Sequence, residues 1–340
     1  MPTTPVNTST LPVTSTPTMR AVVQSSYGDA DVLRLERLDR PEPGAGEVLL
    51  RVHAAGLDRG AWHVMTGKPY LLRLAFGLRA PKQPVPGLDV AGTVVAVGEA
   101  VTRFAPGDEV FGFGSGTYAE YALAREDRLA PKPADLTFEQ AAVVPVSAVT
   151  ALHALCDVGR VEAGQRVLVI GASGGVGSYA VQLAVALGAE VTGVCSTANV
   201  DYVRALGARH VVDRLHEDFA DGTRHYDLVL DIGGNPTLSR LRRALTPTGT
   251  AVLTGGEEGG SFSGGMSRQL RAVAWSPFLR QRLAMFVTPQ RATDLERLRE
   301  HLEAGTVVPS VSRAYPLEGV PEAMRRLAAG DVRGKVAITV

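Results

Sequence analysis

The stretch RVLVIGASGGVGSYAVQLAVALGAEVTGV, residues 166–194, constrains the fold of this chain more than any other. Val167, Leu168, Val169 and Ile170 form an uninterrupted apolar run of strand length. Gly171, Gly174, Gly175 and Gly177 follow. Val176, Ala180, Leu183, Ala184 and Leu187 then recur at helical spacing until Gly188, and a second apolar run spans 191–194. Strand, Gly-rich turn, helix, strand is the context in which a glycine turn takes up the pyrophosphate of a dinucleotide. The glycines let the backbone approach the phosphates, and the helix N-terminus offers free N–H groups and a partial positive charge. Ala172 stands at the first glycine position of the usual GxGxxG pattern, so the flanking elements carry the assignment. The pattern assigns Ser173, Gly174, Gly175, Val176 and Gly177 to a cofactor; the alternative is a tight glycine turn within an α/β sheet.

A chain of 340 residues, 45% hydrophobic, has room for two ordinary domains with real cores. Lys plus Arg equals Asp plus Glu, 35 each. That neutrality argues against nucleic acid and against an anionic membrane as partners. No apolar run approaches the ~20 residues of a membrane span. Cys156 and Cys195, the only cysteines, both lie in apolar segments, which points to reduced buried thiols and a cytoplasmic location.

Residues 1–18 carry no charge and are mostly Thr, Pro and Ser. They lack the basic and apolar regions of a secretory signal and read as a disordered tail. Met19 opens the first strand-like run and is a candidate translation start. From there to about Pro133 short strands alternate with Pro- and Gly-rich turns, the pattern of a mostly β domain. Thr137 with Gln140 three residues on predicts a capped helix. Strands expected at 166–170, 191–194, 210–213, 227–232 and 250–253 then alternate with helices, which means a parallel, doubly wound sheet. An Arg-, Glu- and Leu-rich helix is expected over 293–304, and short strands return after Thr306.

The segments GEVLLRVHAAG (46–56), PVPGLDVAGTVVAVG (84–98), FAPGDEVFG (104–112), the AxGGVG turn (172–177) and RGKVAITV (333–340) together resemble the medium-chain dehydrogenase/reductase superfamily. The similarity spans nearly all of 19–340 and is greatest to the zinc-independent quinone oxidoreductase branch. It implies an α/β fold with a Rossmann doubly wound parallel sheet, residues 137–287, inserted in a mostly β GroES-like catalytic domain, residues 19–136 and 288–340. Zinc-dependent members carry a Cys after the first β segment and a G-H-E-x-x-G motif. Here the first region reads Ala55-Gly56-Leu57-Asp58-Arg59 and the second Gly87-Leu88-Asp89-Val90-Ala91-Gly92. Leucine cannot ligate zinc, and two cysteines cannot build the structural four-cysteine site of those members. Without zinc to polarise an alcoholate, the implied acceptors are quinones and α,β-unsaturated carbonyls, reduced by hydride from NADPH. A non-catalytic NADPH-binding protein and a zinc alcohol dehydrogenase are the alternatives. The resemblance also implies a homodimer, by strand addition near 283–287.

NAD enzymes place an acid at the tip of the second strand of the fingerprint. Here the tip reads Cys195-Ser196-Thr197-Ala198-Asn199, with no carboxylate before Asp201. Ser196, Thr197 and Asn199 are therefore candidates for a 2′-phosphate, which favours NADPH, with NADH possible. Arg209 either adds the missing charge or is a solvated surface residue. The ends of later strands supply Asp231, Gly233, Thr254 and Gly255. The resemblance assigns Thr150 to the nicotinamide, the alternative being a helix threonine bonded to its own backbone. It assigns Lys335 to the cofactor, the alternative being a surface lysine.

The acceptor pocket draws on Asp58, which either handles an acceptor proton or caps a helix. Trp62 is either a flat pocket wall or core. His63 reads more as structural than catalytic, and Tyr70 is a possible donor to a carbonyl. The segments 66–86 and 255–265 are expected to shape that pocket, and no metal site is expected.

Overall fold

The computed structural model describes residues 17–233, 236–256 and 260–340. Of the expected tail 1–18, residues 1–16 lie outside the described residues and Thr18 already belongs to a strand; residues 234–235, and 257–259 of the expected pocket segment 255–265, also lie outside them.

The N-terminal elements are short and mostly extended. β1 (Thr18–Gln24) and β2 (Leu33–Asp39) form an antiparallel pair. β3 (Glu47–Leu57) leads into α1 (Arg59–Thr66) and α2 (Arg73–Phe76). β4 (Asp89–Val97), β5 (Glu109–Phe113), β6 (Tyr121–Arg125) and β7 (Leu129–Pro131) follow. β3 is buried at Val48, Leu49 and Leu50, exposes Arg51, and is wholly buried again from Ala54 to its end. Gly92 in β4 is required by a close approach. A Cβ there would lie 2.2 Å from the Arg51 carbonyl oxygen on β3.

Two helices then cross to the second layer. α3 (Phe138–Ala142) carries the expected capping box between Thr137 and Gln140. α4 (Pro145–Leu152) starts with proline, whose missing N–H costs nothing at that position. It runs on into a wider π-type turn over His153–Gly159.

The parallel sheet comprises β8 (Arg166–Ile170), β9 (Glu190–Cys195), β10 (His210–Asp213), β11 (Tyr226–Asp231), β12 (Leu245–Leu253) and β13 (Arg282–Met285). Its order is β10-β9-β8-β11-β12-β13, every pair parallel. The chain winds outward from β8 to one edge and then to the other, so a crevice opens at the carboxyl ends between β8 and β11. α5 (Gly175–Ala186) follows β8 and is buried on nearly every face, between the sheet and α4. Gly188 at φ +81° sits just past its end. A Cβ on Gly177 would lie 2.1 Å from the Gly171 carbonyl oxygen, so that glycine sets how closely helix and strand pack. α6 (Val200–Ala205), α7 (Leu238–Ala244) and α8 (Met266–Trp275) complete the crossovers.

α9 (Ala292–Glu303) packs its Leu295, Leu298 and Leu302 face into the core shared with α4. β14 (Val311–Pro316), α10 (Val320–Ala328) and β15 (Lys335–Thr339) return to the first layer. The seven-stranded sheet has the order β14-β15-β3-β4-β5-β7, with β6 also on β3. β15 is therefore an interior strand, and its first residue, Lys335, faces the crevice between the two sheets.

Candidate active site

A crevice of about 700 Å³ runs along the carboxyl ends of the parallel strands and is closed on its other side by β3, α1 and β15. Ser173, Gly174, Gly175 and Val176 form its centre. Gly174 caps α5 with no side-chain hydrogen bond, so the first N–H groups of the helix are not taken by a capping side chain. A Cβ added at Gly174 meets only the Gly171 carbonyl oxygen, at 3.5 Å. The space over that turn is therefore open. Gly177 does not line the crevice; its role is the helix–strand packing described above.

The tip of β9 brings Ser196 and Asn199 to one end. The Asn199 amide donates to the hydroxyls of Ser173 (3.3 Å) and Ser196 (3.2 Å). Thr197 points elsewhere: its hydroxyl donates to the Asp213 carboxylate at 2.6 Å, tying β9 to β10. Arg209 is also away from the crevice, on the surface against Glu190 at 3.1 Å. Arg214, which sequence reasoning missed, lines the crevice as well, as does Arg240. Arg214 follows β10, and β10 pairs with β9 so that Asp213 lies opposite Cys195. The strand order, once known, points to it. Cys195 lines the wall beside it, and burial pushes that thiol up to about 11, too high for a nucleophile at neutral pH.

Gly233, Thr254 and Gly255 line the opposite half. Asp231 does not. It is fully buried beneath the floor, 2.5 Å from the Arg268 guanidinium, and its carbonyl accepts from Thr254 N–H at 3.0 Å. Its carboxylate organises the loops rather than facing a ligand. Thr150 is bonded to its own helix backbone, as its alternative reading expects. It lines the crevice, and its hydroxyl bonds the Val146 carbonyl (2.7 Å) and the Thr288 hydroxyl (2.9 Å).

Lys335 is not a surface residue. It is 2% exposed, and its ammonium lies 3.4 Å from the fully buried Asp89 carboxylate. The other Asp89 oxygen accepts from Val146 N–H at 2.9 Å. Full burial pushes the Asp89 carboxyl up to about 7, against the opposing pull of Lys335. The Lys335 stem also passes the pyrophosphate turn, since a Cβ on Gly175 would lie 3.0 Å from its Cδ. One side chain thus spans from the first sheet to the turn of the second.

At the acceptor end, Asp58 caps α1. Its Oδ1 accepts from Ala61 N–H at 2.9 Å. Its Oδ2 is buried with no hydrogen-bond partner, on a residue that lines the crevice. His63 also lines it. His63 Nδ1 donates to the Lys68 carbonyl at 2.7 Å. Trp62 packs into the core between α1, α10 and β15 and is not a pocket wall. Tyr70 is 42% exposed beside Arg73 and does not line the crevice. No residue of 66–86 lines the crevice, whereas Gly255 and Gly256 of the second expected segment do.

The donors at the crevice do not suit zinc. Leu88 packs against the core, and Asp89 is held by Lys335 and Val146. Among the described residues, three ligand-type side chains come within reach of a common ion only at His153, Asp157 and Asp294. That group lies outside the crevice, with both imidazole nitrogens against carboxylates and Arg297 beside them.

Residues 206–338 match the zinc-binding dehydrogenase family, and residues 44–134 match the alcohol dehydrogenase GroES-like domain. The chain is 31% identical to a quinone-oxidoreductase homolog, chloroplastic, of Spinacia oleracea, over 94% of this chain and 98% of that one. It is 32% identical to the 2-methylene-furan-3-one reductase of Solanum lycopersicum, over 94% of this chain and 79% of that one. The native structure of a mycobacterial protein complexed with NADPH is similar throughout, with a TM-score of 0.81 and 27% identity, covering 95% of this chain and 100% of that one.

Proposed function

The chain belongs to the medium-chain dehydrogenase/reductase superfamily, in its quinone oxidoreductase-like branch, and on that premise we propose that it reduces quinones or α,β-unsaturated carbonyls with NADPH and without zinc. The observation that carries the reading is the uncapped start of α5 beneath open space at Gly174, in a crevice with no zinc-ligand set among the described residues. In this reading the α5 N-terminus and Ser173 hold the pyrophosphate, and Lys335 supports it from the side. Ser196, Asn199 and Arg214 hold the 2′-phosphate. Gly233, Thr254, Gly255 and Thr150 bound the nicotinamide half. NADPH bound there supplies a hydride.

An acceptor polarised by its own conjugation takes hydride without a Lewis acid, so the protein's part is to orient it and exclude water. We assign that task to Asp58 and His63. The buried Asp58 Oδ2 can accept from an acceptor hydroxyl, His63 lies beside it, and the enolate or phenolate oxygen left by hydride transfer takes its proton from water. The test is consumption of NADPH and of NADH with a panel of quinones, enones, enals and simple alcohols. Turnover confined to alcohols, or dependent on added zinc, overturns the proposal.

The domain limits 19–136 with 288–340 and 137–287 are part of the same proposal. They are supported by the two sheets, since every strand of the parallel sheet lies within 166–285. A cytoplasmic homodimer is also proposed. Its support is the outer edge of β13 with Val287, 86% exposed, just beyond it, and the two free cysteines. Light scattering tests the dimer.

A further inference from the structure

The balanced charge of the whole chain hides a local segregation. Between Asp58 and Asp89 there is no carboxylate at all, while Arg59, Lys68, Arg73, Arg79 and Lys82 supply five cations. The same stretch holds the exposed apolar side chains Leu74 (69% exposed), Leu78 (68%) and Phe76. Backbone bonds from Tyr70 and Leu71 N–H to the Ser261 and Phe262 carbonyls, 2.9 and 3.0 Å, bring Phe262, itself 69% exposed, alongside.

The ridge is braced from below. The Arg73 guanidinium lies over the rings of Tyr27 (4.4 Å) and Tyr70 (4.6 Å) and donates to the Gly67 carbonyl at 2.9 Å. The Tyr27 hydroxyl donates to the Gly77 carbonyl at 2.6 Å, and Lys82 N–H to the Phe76 carbonyl at 2.7 Å. Lys68, Arg79 and Lys82 are exposed around it.

We propose that this ridge docks the protein on an anionic phospholipid surface, Leu74, Leu78 and Phe262 entering the interface while Lys68, Arg79 and Lys82 meet the headgroups. Between Asp58 and Asp89 the exposed apolar side chains stand among cations with no acid in the stretch, which is the composition of an interfacial anchor. A protein partner of ordinary composition would instead meet an apolar centre with a mixed-charge rim. Docking stands whether or not the acceptor is a quinone.

The full-length protein is tested by co-sedimentation with vesicles of equimolar phosphatidylglycerol and phosphatidylcholine, and with phosphatidylcholine alone. Wild type is expected to partition to the anionic vesicles, less so as salt rises, and to leave neutral vesicles in suspension. Leu74→Ser with Leu78→Ser, and separately Arg79→Glu with Lys82→Glu, should each lower partition by about tenfold or more with unchanged thermal midpoints. The proposal fails if wild type ignores anionic vesicles, if it binds neutral ones equally, or if both variants bind as wild type does. It also fails if Leu74→Ser with Leu78→Ser dissociates a dimer in light scattering, which makes the ridge a contact between copies.

Discussion

Arg214 N–H donates to the carbonyl of Cys195 across 2.9 Å, so the residue after the third strand of the sheet is fastened beside the tip of the second. Arg214 and Ser196 both line the crevice there, with Glu217 also in its wall. Arg214→Ser should weaken NADPH by about 1–3 kcal/mol while leaving NADH unchanged, because only the 2′-phosphate loses a charged partner. Ser196→Asp should act in the same direction through repulsion and improve NADH. The ratio of kcat/KM for the two cofactors in wild type and both variants decides. An unchanged ratio removes this corner from cofactor selection.

Two glycines three positions apart should respond oppositely. Gly174→Val projects into open space, so the fold should survive while cofactor affinity falls beyond detection. Gly177→Val projects into the Gly171 carbonyl, so the protein itself should fail, with a loss of several kcal/mol or no soluble product. Circular dichroism with cofactor titration separates the cases, and tight NADPH binding by folded Gly174→Val refutes the placement of the pyrophosphate.

Leu88→His should not produce zinc-dependent alcohol oxidation. The new imidazole gains no cysteine partner, and its neighbour Asp89 is already held by Lys335 and the Val146 N–H. Metal analysis and alcohol turnover of the variant, with and without added zinc, check this.

Asp89 predicts a pH dependence of stability. Its carboxyl rises from an ordinary 3.8 to about 7 on folding, so between those values the folded protein binds a proton that the unfolded chain releases. Its contribution therefore favours folding at the acid end, declines as pH rises through that window, and is constant above it. Asp89→Asn should lack this decline. Urea midpoints measured at several pH values compare the two slopes, and equal slopes exclude Asp89 as their source.

Periodicity made the parallel sheet legible because buried strands are short and apolar, and the glycine turn is bounded by them. The Thr137–Gln140 cap and the end of α5 at Gly188 were legible because their chemistry is local. Arg214 was not, since its place depends on which strand lies next to which. Thr197 and Asp231 sit at strand ends, as expected of ligand-facing residues, yet each side chain turns to a neighbour within the protein. Lys335 and Asp89 are 246 positions apart, and no local pattern distinguishes a buried lysine from a solvated one. Overall neutrality concealed the acid-free stretch around α2, because a sum over the chain carries no position.

The interior place of β15 has a consequence for the order in which the protein is made. β1 to β7 leave the ribosome first, but their sheet lacks the strand that lies between β14 and β3. The parallel sheet, complete by Met285, has all its strands before β15 is synthesised. Until β15 is synthesised the 54–57 edge of β3 stays unpaired, and the crevice lacks Lys335.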